Sequence, residues 1–378
     1  MTEKKIFKKI PVFDIALGDI EKKYVNDCLN TSFIGQGQYV KKFEEQFSKF
    51  VDCQYGITTT SGTTALHLAC VTIGIKKNDQ VLVSSSTNMA CPFAIDYCGG
   101  ISIPIDIEKD TWQMDVNKIE EKINSKTKAI MVVHLFGHPV DMDVVVSLAK
   151  KYNLKIIEDC AESHGVEYKG KKVGSIGDIA AFSFFANKTI TCGEGGMITT
   201  NSPALAEKAK SLKNLSYGKV NKFMHEDIGF NYRLPNISAA LSLGQFENIN
   251  SVFKEKDRIY KRYKKNLEKI NGINIPAIKN WATKYIMWVF NVYLDKNFSL
   301  TRDELTKKLK EKNIDTRDAF VPINQQQILI DKYKLFNRND CPNANFIMEN
   351  GFYLPSGNTL TNEEIDYVSS QVIKLGKN

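Results

Sequence analysis

Between about residues 56 and 200 the chain alternates strand-length apolar runs with helix-patterned stretches, and this alternation restricts the fold more than any other feature. The runs are YGITTT, QVLVSS, ISIPIDI, KAIMVVHL, LKIIED, IAAFSFF and GMITT; amphipathic stretches such as 116–123 and 144–152 lie between them. Continuous apolar runs with interleaved helices fit a mostly parallel sheet covered on both faces. Such sheets hold ligands at the carboxyl ends of their strands. Polar residues fall at those ends: Ser61-Gly62-Thr63 after one run, His134 after another, Asp159 after a third, Ser183 and Lys188 after a fourth. A helical stretch around 237–265 then leads into a different composition, with short strands (288–294 is the clearest) and helices such as 302–312. The expectation is a large α/β domain over 1–249 and a smaller α+β domain over 250–378.

Charge and cysteine usage narrow the function classes. The formal net charge is +8, but the lysines are scattered and their runs, as at 169–172 and 261–265, are short. A solvated surface is expected rather than a nucleic-acid patch. The positive field would help collect phosphorylated substrates. The eight cysteines form no C-x-x-C pair and no zinc-like cluster, so no metal site is expected. They read as reduced, buried small hydrophobes of a cytoplasmic protein. MTEKKIFKKIPVF has no apolar leader segment, and no stretch has the apolar length to span a bilayer.

Three strand ends carry chemistry. In KIIEDCAESHG, Leu154, Ile156 and Ile157 drive into the core; Glu158 is expected to alternate outward and Asp159 to sit at the tip. A buried carboxylate needs a positive partner or a proton. A pyridinium nitrogen is one such partner, and a helix N-cap is the plainer alternative for this residue alone. In AFSFFANKTITCGEGG, Lys188 follows a Phe-rich strand and precedes Gly193, Gly195 and Gly196. A lysine in an apolar setting becomes a nucleophilic amine, the chemistry of a Schiff base, whereas an ordinary lysine stays on the surface. Ser61, Gly62 and Thr63 lead into an apolar helix, whose N-terminus favours an anion such as phosphate; such N-caps are also common without one. Ser183 could add a hydroxyl. His134 either approaches a cofactor edge or is a hydrogen-bonded structural histidine, and His138 is weighed the same way. Arg233 either binds a substrate phosphate or pairs with an acid at a dimer interface. Trp112 and Trp288 read as core or interface rather than as substrate platforms.

Together these motifs resemble the DegT/DnrJ/EryC1 family of pyridoxal-phosphate (PLP) sugar aminotransferases, of fold-type I. The similarity runs from FIGQG followed by VKKFE, through SGTTALHLA, VHLFGHPVDMD, EDCAESHG, SFFANKTITCGEGG and GFNYRLPNISAALSLGQFE, to LPSG near the C-terminus. SFFANKTITCGEGGM and the Asp-Cys-Ala-Glu-Ser run look most similar to GDP-perosamine synthases, which aminate C4 of a GDP-linked 4-keto-6-deoxymannose. The resemblance implies a mostly parallel seven-stranded sheet covered by helices. It implies that Lys188 carries PLP as a Schiff base and shuttles protons, with a pyridoxamine phosphate form in the cycle. It further implies that Asp159 faces the pyridinium nitrogen, that Ala161 packs beneath the ring, and that Glu162 lies near the phenolic oxygen. Ser61, Gly62, Thr63 and Ser183 match phosphate positions. Asn231 matches the asparagine that reaches the phosphate from a neighbouring subunit, which implies a homodimer with shared sites.

Two places depart from the family pattern. Asn88 stands where many relatives stack an aromatic ring on PLP, and Asp318-Ala319-Phe320-Val321-Pro322 replaces their usual segment before a substrate-facing proline. The implied activity is transfer of an amino group from L-glutamate to a nucleotide-linked 4-keto-6-deoxy sugar bound for surface polysaccharide, with Phe320, His134 and Arg233 as candidate substrate contacts. A small phosphorylated ketone is the alternative acceptor. A PLP-dependent sugar dehydratase has histidine in place of the lysine, so Lys188 argues against it. Lys188 with Asp159 likewise argues against a non-catalytic PLP-fold binding protein.

Overall fold

A computed structural model describes residues 8–376. The first seven residues, part of the segment in which no apolar leader was found, lie outside it. The chain forms the helices α1 (Asp19–Thr31) and α2 (Gln38–Phe50), then strand β1 (Tyr55–Thr59), α3 (Gly62–Ile73), β2 (Gln80–Ser84), α4 (Ala90–Tyr97), β3 (Ile101–Ile105), β4 (Thr127–Val133), α5 (Met142–Tyr152) and β5 (Lys155–Asp159). It continues through two short strands, β6 (Glu167–Tyr168) and β7 (Lys171–Lys172), to β8 (Ile179–Ser183), β9 (Gly196–Thr200), α6 (Pro203–Lys213), α7 (Asn236–Glu247) and α8 (Ile249–Leu267). The strands β10 (Ile273–Asn274), β11 (Ala282–Lys284), β12 (Phe290–Leu294), β13 (Arg317–Asp318) and β14 (Gly351–Leu354) follow.

The seven-stranded sheet has the order β1-β9-β8-β5-β4-β2-β3. The pairs β2·β3, β2·β4, β4·β5 and β5·β8 are parallel; β9 runs antiparallel between β1 and β8. This is the mostly parallel α/β sheet expected of fold-type I. Its strands are apolar at successive positions because both faces are covered. The two-residue period of a strand divides them. Val81, Val83, Met131, Val133 and Ile157 enter one core, and Leu82, Ile130, Val132 and Ile156 enter the other. By that alternation Asp159 belongs to the first face and Glu158 to the second. A third core joins Ile259, Tyr263 and Leu267 of α8 to Phe290, Val292, Phe352 and Leu354 of a four-stranded sheet, β10-β12-β14-β13.

Some local expectations differ from the structure. The stretch 116–123 holds two 3-10 turns, Val116–Lys118 and Glu120–Lys122, and no α-helix. Asp115 caps the first by accepting from the Asn117 N–H, and Ile123 is already extended, so too few residues remain for a full α-helix. The 237–265 pattern is two helices, parted at Asn248 (φ −95°, ψ 7°). Trp288 lies just ahead of its strand, which begins at Phe290.

Candidate active site

The carboxyl ends of the parallel strands surround a cavity of about 470 Å³, a size suited to a cofactor-sized molecule. Ser61, Gly62, Thr63, Asn88, Asp159, Ala161, Glu162, Ser183, Lys188 and Phe320 line it. A wider groove of about 820 Å³ runs along α2 and β1, between residues such as Lys41, Glu45 and Lys210, and gathers none of the candidates.

Each wall has a local cause. Ser61 caps α3: its hydroxyl accepts from the Thr64 N–H, and the Thr64 hydroxyl accepts from the Ser61 N–H. The first-turn N–H groups of Gly62 and Thr63 are left without helical acceptors, as at any helix start. A side chain at position 62 would put its Cβ 2.7 Å from Ser183 Cβ, so glycine lets the helix end approach β8. At the end of β5, the Ala161 N–H donates to Asp159 Oδ1 (2.9 Å) and the Cys91 thiol donates to Oδ2 (2.9 Å). Both partners are neutral, and the carboxylate is 5% exposed. A buried carboxylate held only by neutral donors is suited to receive a cation from the cavity.

Lys188 follows β8. Its Nζ lies 3.2 Å from Glu162 Oε1 and 4.1 Å from the centre of the Trp288 ring. Glu162 also accepts from the Phe136 N–H (3.2 Å). Burial pushes the Glu162 carboxyl above its usual range, and the Lys188 charge offsets this only in part. The set fits PLP: an amine, a buried acid facing the same cavity, and a glycine-fronted helix start beside a serine hydroxyl for the phosphate.

Four candidate residues lie off this wall. His134 is fully buried; the Val140 N–H donates to its Nδ1, and its Nε2 is 3.0 Å from Glu158 Oε2. Both ring nitrogens are thus used inside the fold, which leaves none for a substrate or cofactor edge. His138 is likewise internal, bonded to the Pro139 carbonyl and the Lys279 N–H, and burial lowers its pKa to about 4. Asn231 and Arg233 bond to each other (2.8 Å) near the surface rather than lining the cavity.

One expectation is corrected and one is extended. Glu158 does not face outward: it is fully buried, and the N–H groups of Gly174, Ile176 and Gly177 donate to it. Trp288 is core, as expected, and it also lines the cavity above Lys188, anchored by its indole N–H on the Asn187 carbonyl (2.8 Å). Cys91 was read only as a small hydrophobe. Its place near the start of α4, four residues after Thr87 at the same sheet edge, was the available signal.

His134, Glu158 and Cys160 are the group among the described residues whose donor atoms cluster as a metal would require. Its histidine is already engaged on both sides. All eight cysteines are free, and no helix among the described residues is long and apolar enough to cross a membrane.

Comparison with known proteins finds a family match and several relatives along nearly the whole chain. The model of the DegT/DnrJ/EryC1/StrS aminotransferase family matches residues 16–373. A GDP-perosamine synthase of Escherichia coli O157:H7 is 40% identical over 366 residues, spanning 97% of this chain and 98% of that protein. A GDP-perosamine synthase of Caulobacter vibrioides is 37% identical, spanning 92% and 93%. Among solved structures, DesV of S. venezuelae superposes with a TM-score of 0.91 at 28% identity, covering 98% of this chain and all of that one.

Proposed function

The chain belongs to the DegT/DnrJ/EryC1/StrS aminotransferase family of PLP-dependent enzymes, and from that premise we propose that it transfers the amino group of L-glutamate to the ketone of a GDP-linked 4-keto-6-deoxy sugar for surface polysaccharide. One observation supports this reading above the rest: Lys188 and Asp159 face the same cavity, beside the start of α3 and Ser183.

Lys188 is the group that holds the cofactor and, once free, moves the proton at the reacting carbon. Bound PLP supplies an electron sink for the charge that this proton transfer leaves. Asp159 would hold the ring nitrogen protonated by setting a fixed negative charge opposite it. Glu162 and Trp288 hold the free lysine amine between a carboxylate and an indole face, within reach of the cavity. Ser61, Gly62, Thr63 and Ser183 would hold the phosphate, and Ala161 would pack against the ring. Asn88, whose Oδ1 accepts from the Ala90 N–H, lines the cavity and would meet the ring where many relatives carry an aromatic group. Phe320 closes the substrate side, stacked 5.8 Å from Phe136.

The reading includes a homodimer with shared sites, located in the cytoplasm. Asn231 lies off its own chain's cavity wall, and Val220, Phe223, Met224 and Ile228 before it are exposed. A second copy that covers this segment would bring Asn231 to the neighbouring phosphate. Asn231→Ala should weaken PLP retention, and mixing it with inactive Lys188→Ala protein should then raise the activity above that of either variant alone, measured as amino-sugar formation. No recovery would count against shared sites.

The decisive experiment has two stages. Purified protein with PLP should show a visible absorption band that L-glutamate bleaches. The glutamate-treated protein should then aminate a GDP-linked 4-keto-6-deoxy sugar in a single turnover. Loss of the band with glutamate but transfer only to small phosphorylated ketones would overturn the acceptor assignment. Absence of any band would overturn the cofactor assignment.

A further inference from the structure

The hydrogen bonds around Asp159 reach further into the fold than its cavity neighbours. Thr87 closes the turn after β2, and Cys91 lies in the first turn of α4. The Thr87 hydroxyl donates to Cys91 Sγ at 3.2 Å, and the Cys91 thiol donates to Asp159 Oδ2 at 2.9 Å. On the other oxygen, the Ala161 N–H donates to Oδ1 at 2.9 Å. The carboxylate is therefore gripped from two sides by segments that follow two different strands, β2 and β5. Its remaining lone pairs are left for the cavity.

We propose that Cys91 is a positioning residue: the chain Thr87–Cys91–Asp159 aims the carboxylate at the ring nitrogen of the bound cofactor. This rests on the PLP reading above. The choice of a thiol follows from the chemistry. A thiol is a weak donor, so it orients the carboxylate while drawing off little of the negative charge that a pyridinium needs. Cys91 is fully buried. Burial first, and then the Asp159 charge, push its thiol well above the usual range, so it stays protonated and can act only as donor toward Asp159. The Thr87 hydroxyl meets the sulfur's acceptor side and fixes the direction of the S–H.

The test uses Cys91→Ser, which keeps a donor, Cys91→Ala, which removes it, and Thr87→Val, which removes the outer link. The readouts are PLP affinity, followed by quenching of tryptophan fluorescence, the pH titration of the visible band, and the melting midpoint of each protein without PLP. Cys91→Ala should weaken PLP by about 10-fold, the worth of one hydrogen bond to a charged group, and shift the band's titration. Cys91→Ser should stay within about 3-fold of wild type, and Thr87→Val should fall between the two. Wild-type affinity and titration in Cys91→Ala, with an unchanged melting midpoint, would overturn the proposal; so would a Cys91→Ser protein as impaired as Cys91→Ala. Should Cys91→Ala not fold, the Thr87→Val titration decides alone. A wild-type protein that binds no PLP would instead remove the cofactor reading itself.

Discussion

Glu158 and Asp159 are neighbours on one strand, both buried, and the fold treats them oppositely. Glu158 points to the face of the sheet where the 174–177 loop closes. There it accepts from three backbone N–H groups and lies 3.0 Å from His134 Nε2. Asp159 points to the other face and has two neutral donors, with the cavity in front of it. A carboxylate whose lone pairs are filled by fixed donors is part of the architecture, because taking any donor away leaves buried charge uncompensated. One with lone pairs aimed into a cavity is held ready for a partner from outside. Burial alone therefore does not separate structural acids from reactive ones; the count and charge of their partners does.

The comparison can be broken first on the cavity side. Lys188→Ala should lower turnover by at least about 1000-fold, the scale of losing a positioned acid–base group, while its melting midpoint stays near wild type. Activity close to wild type would end the lysine's role. Asp159→Asn should come next, at roughly 100-fold in rate, since two units of lost ring-nitrogen basicity amount to about 3 kcal/mol. The check is the single-turnover rate with glutamate, alongside melting without PLP. If Asp159→Asn instead lowers the melting midpoint as an architectural acid would and leaves the single-turnover rate of the folded protein intact, the contrast with Glu158 is wrong.

Much of the cavity side was legible in the sequence, and less of the other side was. The parallel sheet showed itself because strands covered on both faces are apolar without alternation, as in QVLVS and TKAIMVV. Strand ends then located Asp159, Ser183, Lys188 and the Ser61–Thr63 turn. The same continuity hid the environment of Glu158. An acid beside Asp159 was expected to face water, yet the donors that bury it come from Gly174, Ile176 and Gly177, some 16 to 19 residues away. Trp288 was missed for a similar reason: the approach of the segment before β12 to Lys188 is a tertiary event that periodicity does not encode. Cys91 was missed because a thiol that works as a donor has the same composition signal as one that merely fills space. The 116–123 stretch had helical spacing but was too short to bear a helix.

On the architectural side the expected effect is on stability. Glu158→Gln turns one carboxylate oxygen into an NH2 group facing backbone N–H donors, which should cost about 2 kcal/mol and lower the melting midpoint. The visible band with PLP should persist in whatever fraction remains folded. Glu158 also carries a pH signature. Its folded pKa is depressed by His134 and the loop N–H groups despite burial, so its stabilisation is complete above the unfolded carboxylate range and is lost as pH falls through the lower, folded value. Glu158→Gln should abolish that acid-limb loss. A variant as acid-labile as wild type would show that the pair contributes nothing there.

Glu162 should show the opposite sign, and it is the finest test of the contrast. Burial raises its folded pKa, and the Lys188 ammonium only partly opposes the rise. The folded state without cofactor then binds more protons than the unfolded chain, so stability falls as pH climbs from the unfolded carboxylate value through the raised folded one. This penalty is the cost of keeping an under-partnered acid beside the lysine. Glu162→Gln removes the titrating group but keeps an acceptor for the Phe136 N–H. Without PLP, the variant should therefore melt slightly above wild type at neutral pH and match it near pH 4. Melting curves across pH 4 to 8 decide the matter. A variant less stable than wild type at neutral pH would mean that the Lys188–Glu162 pair is a net stabilising bridge, and that this side of β5 is architecture as well.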